Sequence, residues 1–319
     1  MKDDILDWNG YKIHRINESF IDHLIQISES AFNISPERSY YQLKNNTASF
    51  GEPYLGYIAL DAQGSPAAFY GVYACEVVLD GKKYKAAQSG DTMTHKSHGG
   101  KGLFTILAKR TYELCKRLDI DFVFGFPNYN SYPGFVKKLD WVCPGTLNEY
   151  RIKVATLPLM KVAKKFKAFG FLYGFYLRFV NIFFKSTDVS LPSSVLKNGV
   201  GGIERSHDFI KYKMAIGGSY ILSVNEVNVW LKSDGFLLIG DVNLTSGIDF
   251  AEFIKKLKKY AFLVGADVLM FQTMPSSPLD DLFRKEFTSE EAFPYGYCKL
   301  NSKVDPLKFH FVMADSDTF

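Results

Sequence analysis

The 319-residue sequence is poor in cysteine and in net charge, and it has no long apolar run. Its cysteines, Cys75, Cys115, Cys143 and Cys298, form neither a CxxC pair nor a Cys/His metal spacing. We therefore expect no disulfide framework and no metal site, and we interpret them as small buried side chains in a reducing compartment. The longest uninterrupted apolar run, Ala168 to Leu177, is too short to span a bilayer, which needs about 20 residues.

Further absences exclude whole classes of protein. The formal net charge of +4 is too small for this length to suggest nucleic-acid binding, and no aromatic and basic motif of an RNA-binding module is present. The chain does not open with an apolar run followed by a small-residue cleavage site, so we expect no export signal and a cytoplasmic location. No nucleophile elbow is present to support a hydrolase triad.

What is present is material for a large core, since 47% of the residues are hydrophobic and 16% are aromatic. In the first half, apolar periodicity and turn residues predict a strand, two helices, a meander of three strands, a helix, a buried strand, a short helix and a last strand. These predicted elements are Tyr11 to Ile16, Asp22 to Phe32, Tyr40 to Asn46, Tyr54 to Leu60, Ala67 to Val78, Lys85 to His95, Gly102 to Leu118, Asp121 to Phe126, Pro133 to Leu139 and Asn148 to Val154.

A turn rich in glycine and histidine joins the third strand of the meander to the following helix. Gly99, Gly100 and Gly102 let the backbone approach a ligand closely, and the first N–H groups of a helix have no carbonyl partners of their own. Such donors suit phosphate oxygens, although a plain tight turn explains the segment in isolation equally well. The turn lacks the Gly-Lys-Ser/Thr of nucleotide hydrolases and the glycine spacing of dinucleotide-binding folds.

This turn resembles the pyrophosphate-binding signature of the GCN5-related N-acetyltransferase (GNAT) family, Arg/Gln-x-x-Gly-x-Gly/Ala. Gly99, Gly102 and Phe104 occupy the three specified places, and Gly102 matches strictly. A later phrase, Gly125 to Ser131 followed by Phe135 to Trp141, is similar to the family's Asn and the helix that ends in Tyr-x-Lys-x-Gly-Phe. The resemblance implies an α/β (α+β) fold in which a mixed GNAT-like sheet is flanked by helices.

The resemblance also implies acetyl-CoA as the donor, used as a co-substrate. We expect the pantetheine arm along Thr92 to Thr94 and the pyrophosphate on the amides from Gly99 to Phe104. Lys101 would pair with a phosphate or remain a solvated lysine, and Asn128 would hold the pantetheine amides or only cap the next helix. The expected coenzyme-binding residues are Thr92, Met93, Thr94, His98, Gly99, Gly100, Lys101, Gly102, Leu103, Phe104 and Asn128.

Acyl transfer to an amine requires a nearby base or a water chain that takes a proton, because an alkyl amine has a pKa of about 10.4. Asp91 lies near the end of its strand, where the thioester should lie, and is either this base or a carboxylate that hydrogen-bonds locally. His95 and His98 flank the turn and are either proton-transfer groups or phosphate and backbone partners. Tyr132 would protonate the leaving thiolate, with Tyr129 as a neighbouring choice and unassisted release of the thiolate as the alternative.

The second half repeats the predicted order of the first. With Asp121 aligned on Asp267, the core-facing periodicity of the first long helix recurs on Phe250 to Leu263. The segment Val242 to Ile248, at the place of the glycine turn, has one glycine and no basic residue, so we expect no coenzyme there. We expect two similar domains in tandem, 1–154 and a degenerate 196–319, joined by 155–195. The second would complete the acceptor cleft or form a homodimer; chance similarity of two α/β units is the alternative.

The segment Leu157 to Phe184 combines many aromatic residues with Lys161, Lys164, Lys165 and Lys167 and contains no acidic residue. Basic and aromatic helices of this kind pack between domains or subunits, or lie on anionic membrane surfaces. We expect the first arrangement, with peripheral membrane contact as the alternative.

Together these observations predict an N-acyltransferase that moves an acetyl group from acetyl-CoA to the amine of a small molecule in a ternary complex. An amino sugar or sugar nucleotide is the expected acceptor, because the glycine turn and the Gly-Phe-Pro-Asn phrase resemble those of acetyltransferases associated with surface polysaccharides. One alternative is a non-catalytic scaffold, motivated by Gly99, by Phe104 and by Phe135 and Val136 where the family carries its tyrosine. Another is an aminoacyl-tRNA-dependent transferase, against which the small net charge counts.

Overall fold

The computed structural model describes residues 5–184, 190–224, 226–243 and 249–319. Its strands are β1 (Leu6–Trp8), β2 (Tyr11–Arg15), β3 (Leu55–Leu60), β4 (Pro66–Leu79), β5 (Lys82–Thr94), β6 (Phe122–Gly125), β7 (Val142–Lys153), β8 (Gly202–Ile203), β9 (Tyr220–Val224), β10 (Val227–Ser233), β11 (Leu237–Val242), β12 (Val268–Thr273) and β13 (Ser289–Lys299). Its α-helices are α1 (Ile21–Phe32), α2 (Arg38–Asn45), α3 (Leu103–Arg117), α4 (Tyr132–Lys138), α5 (Leu159–Lys165), α6 (Lys167–Ile182), α7 (His207–Gly217), α8 (Phe250–Leu263) and α9 (Pro278–Glu286).

The chain divides into two compact units, and each takes residues from both halves of the sequence. The first unit is Met1–Gly145 with Phe293–Lys308, and the second is Thr146–Ala292 with Phe309–Phe319. Two of the three internal boundaries fall within strands, β7 and β13. The first unit therefore differs from the expected residues 1–154 at its C-terminal end.

In the first unit the strand order is β1-β2-β3-β4-β5-β6-β13. Neighbours run antiparallel except β5 and β6, which are parallel and pair from Ala86 to Gln88 on β5. The last place is filled by the end of β13, whose Gly296 pairs with Gly125 on β6. A strand from near the C-terminus thus completes the sheet of the N-terminal unit.

In the second unit the order is β7-β12-β11-β10-β9. Only β11 and β12 are parallel. Residues Asn148 to Lys153 of β7, expected as the last strand of the first domain, pair instead with β12. Each unit therefore contains a strand from the other half of the sequence: β13 in the first unit and β7 in the second. We call this arrangement the exchange of β7 and β13.

Helix packing explains why the apolar periodicity was a good guide to the elements. On α3 the predicted face is buried at Leu103, Leu107 and Leu114. In the second unit α8 has the predicted bounds and buries Phe253, with other members of the same stripe. Burying such a stripe stabilises the fold by about 25 cal/mol per Å² of apolar surface. In folded proteins this packing contributes more to the stability of a helix than the intrinsic helix propensity of its residues.

The second unit also buries a charge cluster with one guanidinium and two carboxylates. Arg205 Nη2 lies 2.5 Å from Asp315 Oδ1 and 3.4 Å from Asp241 Oδ2, and the three side chains are nearly inaccessible to solvent. Burial raises the pKa of Asp241 to about 6, against the opposing effect of Arg205. Burial also raises the pKa of Asp315. The charged forms of both carboxyls are thus disfavoured relative to the unfolded chain.

The predicted α/β fold class with mixed sheets is confirmed. Strand β1 was not predicted from the sequence, because its three residues are too few to show an alternation of apolar and polar side chains. The segment 157–184 forms α5 and α6, and none of the helices in the described ranges has the length and apolar character needed to cross a membrane. The expected loss of the coenzyme turn concerns residues 242–248, of which 244–248 lie outside the described residues.

Candidate active site

The candidate site begins where β5 separates from its neighbour on one side. Pairing with β6 ends at Gln88, whereas β5 continues for six more residues to Thr94. On the other side Gly71 pairs with Gly90 and Phe69 with Met93, so two residues of β5 lie opposite one residue of β4. This β-bulge includes Asp91, whose φ of +38° is unusual for a residue with a side chain. The end of β5 therefore combines an open backbone edge with a local change of direction.

The glycine turn follows immediately and ends at the N-terminus of α3. Residues Lys96–His98 form one turn of 3-10 helix, with the His95 imidazole accepting from the Ser97 amide at 3.3 Å. Gly100 and Gly102 have φ of +74° and +77°, a region that residues with a Cβ occupy at a cost. Gly102 is the N-cap of α3, so the amides of the first helical turn point out of the helix toward the turn. This is the geometry that anions prefer.

Aromatic residues of β1 and β2 border the turn, and sequence analysis did not identify them. The Tyr11 hydroxyl and His98 Nδ1 are 2.8 Å apart, and Lys101 Nζ lies 5.8 Å from the centre of the Tyr11 ring. A Cβ on Gly102 would meet the Trp8 ring at 3.4 Å. No sequence motif marks Trp8 and Tyr11, because they reach the turn only through the pairing of the N-terminal strands.

His98 is held in a partly buried position between these groups. Its Nε2 is 3.8 Å from Asp61 Oδ2, which is too long for a strong ion pair. Burial and the nearby Lys101 lower the pKa of His98 below its usual value, and Asp61 only partly opposes them. The imidazole is therefore neutral at pH 7 in the free protein.

The carboxylate of Asp91 is engaged by two protein donors. Lys44 Nζ on α2 donates to Oδ1 at 2.9 Å, and the Tyr73 hydroxyl on β4 donates to Oδ2. The Lys44 side chain is 3% exposed and that of Asp91 16% exposed, so the pair is largely shielded from water. Burial, with a smaller contribution from the nearby Asp91, raises the pKa of Tyr41 to about 12. Each carboxylate oxygen keeps a second lone pair, so Asp91 can accept a proton from a substrate while both contacts persist.

A chain of buried hydroxyl groups lies under the bulge. The Tyr70 hydroxyl is 2.8 Å from both Ser89 Oγ and the Tyr112 hydroxyl, and Trp141 Nε1 donates to Tyr112 at 2.8 Å. Burial raises the pKa of both tyrosines, so they remain protonated. This network connects β4 and β5 to α3 and to Trp141, which lies between α4 and β7.

Phe104, the residue of the signature that carries unexpected bulk, packs into an aromatic cluster. Its ring centre lies 5.2 Å from that of Phe135 and 6.0 Å from that of Tyr70. A Cβ on Gly134 would come within 2.8 Å of Phe104 Cε1, so the two residues fit only because position 134 is glycine. The phenyl ring is thus accommodated by α4 and the core.

Asn128 and Tyr132 occupy the loop before α4 and its first residue. Asn128 Oδ1 accepts from the amides of Asn130 and Ser131, both at 3.0 Å, and its carbonyl accepts from the Tyr132 amide at 2.9 Å. Asn128 therefore closes the turn that precedes α4, whose N-cap is Ser131 without a side-chain cap bond. Tyr132 is half-buried at the start of α4.

The structure places the predicted residues in two groups. One group is continuous along the chain and consists of the β5 residues, His95, His98 and the turn residues Gly99 to Phe104. The other group is Asn128 and Tyr132, in the loop and the helix after β6. Across the described residues, no three or more His, Cys, Asp or Glu side chains come together in a way that could hold a metal ion.

A comparison of the sequence with models of known protein families identifies the family of the domain that carries this site. The family model described as "Acetyltransferase (GNAT) domain" matches residues 12–143. These residues are a GNAT acetyltransferase domain. The resemblance expected from the glycine turn is thereby confirmed, and so is the expected enzyme class, since residues 12–143 form a GNAT N-acetyltransferase domain. A search of curated proteins finds no significant match.

Solved structures support the GNAT fold over most of the chain. A putative acetyltransferase from Pyrococcus horikoshii aligns with a TM-score of 0.54 and 13% identity, covering 97% of this chain and 95% of that one. A probable N-acyltransferase from Enterococcus faecalis V583 aligns with a TM-score of 0.58 and 14% identity, covering 91% and 72%. A GCN5-related glucosamine N-acetyltransferase region of a fungal multi-domain GH3 β-N-acetylglucosaminidase aligns with a TM-score of 0.53 and 12% identity, covering 93% of this chain and 39% of that one. At these identities the likeness concerns the fold alone.

Proposed function

We propose that this GNAT enzyme transfers the acetyl group of acetyl-CoA directly to the amine of a small molecule. The observation that carries the proposal is the continuity of three features along 16 residues: the open edge of β5 from Ser89 to Thr94, the turn with two positive-φ glycines, and the N-terminus of α3. An extended amide-containing arm can pair with the strand edge, and a diphosphate can accept from the turn and helix amides.

Each predicted coenzyme contact has a physical role in this arrangement. Backbone groups of Thr92, Met93 and Thr94 would pair with the pantetheine amides, because strand edges present donors and acceptors in a fixed alternation. Amides from Gly99 to Phe104 would bind the pyrophosphate, and Lys101 and His98 would add donors beside it. Met93 itself is buried among core residues, so its side chain supports the strand from below.

Acetyl-CoA supplies an activated thioester, and the acceptor nitrogen takes the acetyl group while the carbon–sulfur bond breaks. The protein must present the nitrogen unprotonated, which requires a base or a water chain. Asp91 is the proposed base, through a lone pair that neither Lys44 nor Tyr73 occupies. His95, whose Nδ1 lies 2.7 Å from Ser97 Oγ, is the second choice through its other nitrogen. Tyr132 is the proposed donor to the thiolate, although a thiolate can also leave unassisted.

We propose an amino sugar or sugar nucleotide as the acceptor. The support is the resemblance of the glycine turn and of Gly125 to Asn128 to acetyltransferases associated with surface polysaccharides, together with the glucosamine N-acetyltransferase region among the structural relatives. The second unit, in this proposal, is a degenerate GNAT-like partner that binds no coenzyme and either completes the acceptor cleft or forms a homodimer.

Two glycines with the same backbone conformation provide a matched test. Gly102 and Gly81 both have φ of +77°, but Gly81 lies in the hairpin between β4 and β5, where a Cβ would meet no atom within 4 Å. Replacing either by alanine costs about 1–2 kcal/mol of backbone strain. We expect Gly102→Ala to raise the Kd for acetyl-CoA in calorimetry at least about tenfold and Gly81→Ala to leave it unchanged.

A thiol-release screen of amines, with amino sugars against polyamines and amino acids, then identifies the acceptor class. Binding of acetyl-CoA with no turnover on any amine leaves the coenzyme assignment standing and rejects the proposed acceptor. No heat with acetyl-CoA at high micromolar concentration supports the non-catalytic scaffold instead, and turnover only with a charged transfer RNA supports the aminoacyl transferase.

A further inference from the structure

One side of α6 is an exposed apolar surface. Its outward residues are aromatic or aliphatic and are each 55% to 72% exposed, namely Phe171, Leu172, Phe175, Phe179, Ile182 and Phe183, which follows the helix. At about 100° per residue these positions, with Tyr176 among them, fall within an arc of roughly 140°. The opposite side is buried at Tyr173 and Val180. The helix is therefore apolar on both sides, which is typical of a helix whose outer face is covered.

The surface continues beyond α6 onto its neighbours in the second unit. The Tyr176 hydroxyl donates to the Leu263 carbonyl at 2.6 Å, which places the exposed C-terminal end of α8 beside the helix. The Thr156 hydroxyl donates to the Phe262 carbonyl at 3.1 Å, so the exposed Leu157 lies at the same end. We call the outward residues of α6 together with Leu157, Phe262 and Leu263 the α6 face. Its size exceeds the scattered apolar exposure of an ordinary surface.

The segment that forms α5 and α6 carries charge of one sign. Between Leu157 and Phe184 the sequence has basic residues and no acidic residue. Lys161 and Lys164 pair with Asp267 and Asp234, both at 2.6 Å. Lys165 and Arg178 form no ion pair with any residue that the structure describes, and instead lie over the rings of Phe166 and Phe175 at 5.5 and 6.0 Å. Aromatic residues with unpaired cations at their border match the layered chemistry of a lipid interface, where apolar groups lie below anionic head groups.

We propose that the α6 face docks this enzyme on the surface of an anionic lipid bilayer, with α6 lying in the plane of the interface. At 16 residues the helix is about 24 Å long, shorter than a bilayer's hydrocarbon core, and it contains Arg178 and Asn181, so it binds the surface without crossing it. A second copy of the chain fits less well. In a two-fold dimer the same patch meets itself, which would bring the unpaired cations of one copy close to those of the other without a carboxylate between them.

The proposal is tested with the full-length protein and vesicles of 30% phosphatidylglycerol in phosphatidylcholine at low salt. We expect the protein to sediment with these vesicles, and not with pure phosphatidylcholine vesicles. The double variant Lys165→Glu/Arg178→Glu should lose at least about tenfold in partitioning, because each basic residue near the surface contributes about 1 kcal/mol. The matched control, Lys211→Glu/Lys285→Glu, makes the same change of charge at exposed positions on α7 and α9, which contribute no residue to the α6 face, and should partition like the wild type.

A second measurement reports on the aromatic residues themselves. Phe179→Trp places an indole on the face, and its emission should shift to the blue and be quenched by brominated lipids; Phe32→Trp, at an exposed site in the first unit, should do neither. Equal sedimentation of the wild type and the charge-reversed variant, or an unquenched indole at position 179, overturns the proposal. A third result would also overturn it: the wild type sediments as a dimer, Phe175→Ser/Phe179→Ser sediments as a monomer, and neither protein binds vesicles. The α6 face would then be a subunit interface.

Discussion

The buried pair between Lys44 and Asp91 allows the structural and chemical roles of Asp91 to be separated. Asp91→Asn leaves the Lys44 ammonium, 3% exposed, without its carboxylate. Removing one partner of a buried ion pair costs about 3–5 kcal/mol, and because Asp91 is partly exposed we expect about 2–4 kcal/mol. For a 319-residue protein that corresponds to a fall of about 3–6 °C in Tm.

Urea unfolding followed by fluorescence measures this loss, and a second substitution checks its cause. Lys44→Met removes the ammonium that faced the lost carboxylate, so Lys44→Met/Asp91→Asn should lose less than the sum of the two single variants by about 1–3 kcal/mol. Glu76→Gln is the control, because its pair with Lys83 at 3.3 Å is exposed and should contribute less than about 1 kcal/mol.

The refuting result is specific. If Asp91→Asn unfolds within about 0.5 kcal/mol of the wild type, the pair does not stabilise the fold and the shielding argument is wrong. If in addition kcat falls by about 10² or more with the Kd for acetyl-CoA unchanged, Asp91 acts chiefly as the base. A large loss of stability with activity retained in the remaining folded protein assigns Asp91 to the architecture.

Three further results follow from the described contacts. Gly134→Val should destabilise the protein by about 1–3 kcal/mol, because its Cβ would lie 2.8 Å from Phe104 Cε1, and Phe104→Leu in the same chain should recover most of that loss in urea unfolding. Acetyl-CoA should bind more tightly at pH 6 than at pH 7.5 by up to about fivefold, because bound phosphates favour protonated His98, whose pKa is lowered by burial in the free protein; calorimetry on His98→Gln should show a flatter profile. Burial raises the pKa of Asp241 to about 6, so this carboxyl binds a proton more tightly in the folded state than in the unfolded state. Its contribution to the free energy of unfolding should therefore fall by about 3 kcal/mol as the pH rises from about 4 to about 6. Asp241→Asn should reduce this pH dependence when unfolding is measured at pH 4.5 and at pH 7.

The sequence predicted what local periodicity and turn chemistry determine. The helix from Phe250 to Leu263 was predicted with its observed bounds because a full apolar stripe and an Asp N-cap define it. The glycine turn was identifiable because positive-φ glycines and a following helix are encoded within a few residues. Both features are local in the chain.

Contacts between distant segments were not predictable in the same way. Lys44 meets Asp91 only because α2 packs beside β5, 47 residues further along the chain. The hydroxyl chain from Ser89 to Trp141 likewise joins side chains that no spacing relates. The exchange of β7 and β13 was missed because a strand's pattern indicates that it pairs, not with which neighbour.

That exchange has a consequence for synthesis on the ribosome. The edge of β6 that pairs with Gly296 has no partner from its own half of the chain in the finished first unit, so it stays open until the residues around position 296 have emerged. At about 5–20 residues per second the interval after residue 145 is on the order of 10–30 s. During this time a nascent chain carries an uncovered strand edge, a template for wrong pairing with other chains. Translation speed and chaperone supply should therefore influence the yield of this enzyme more than its final stability would suggest.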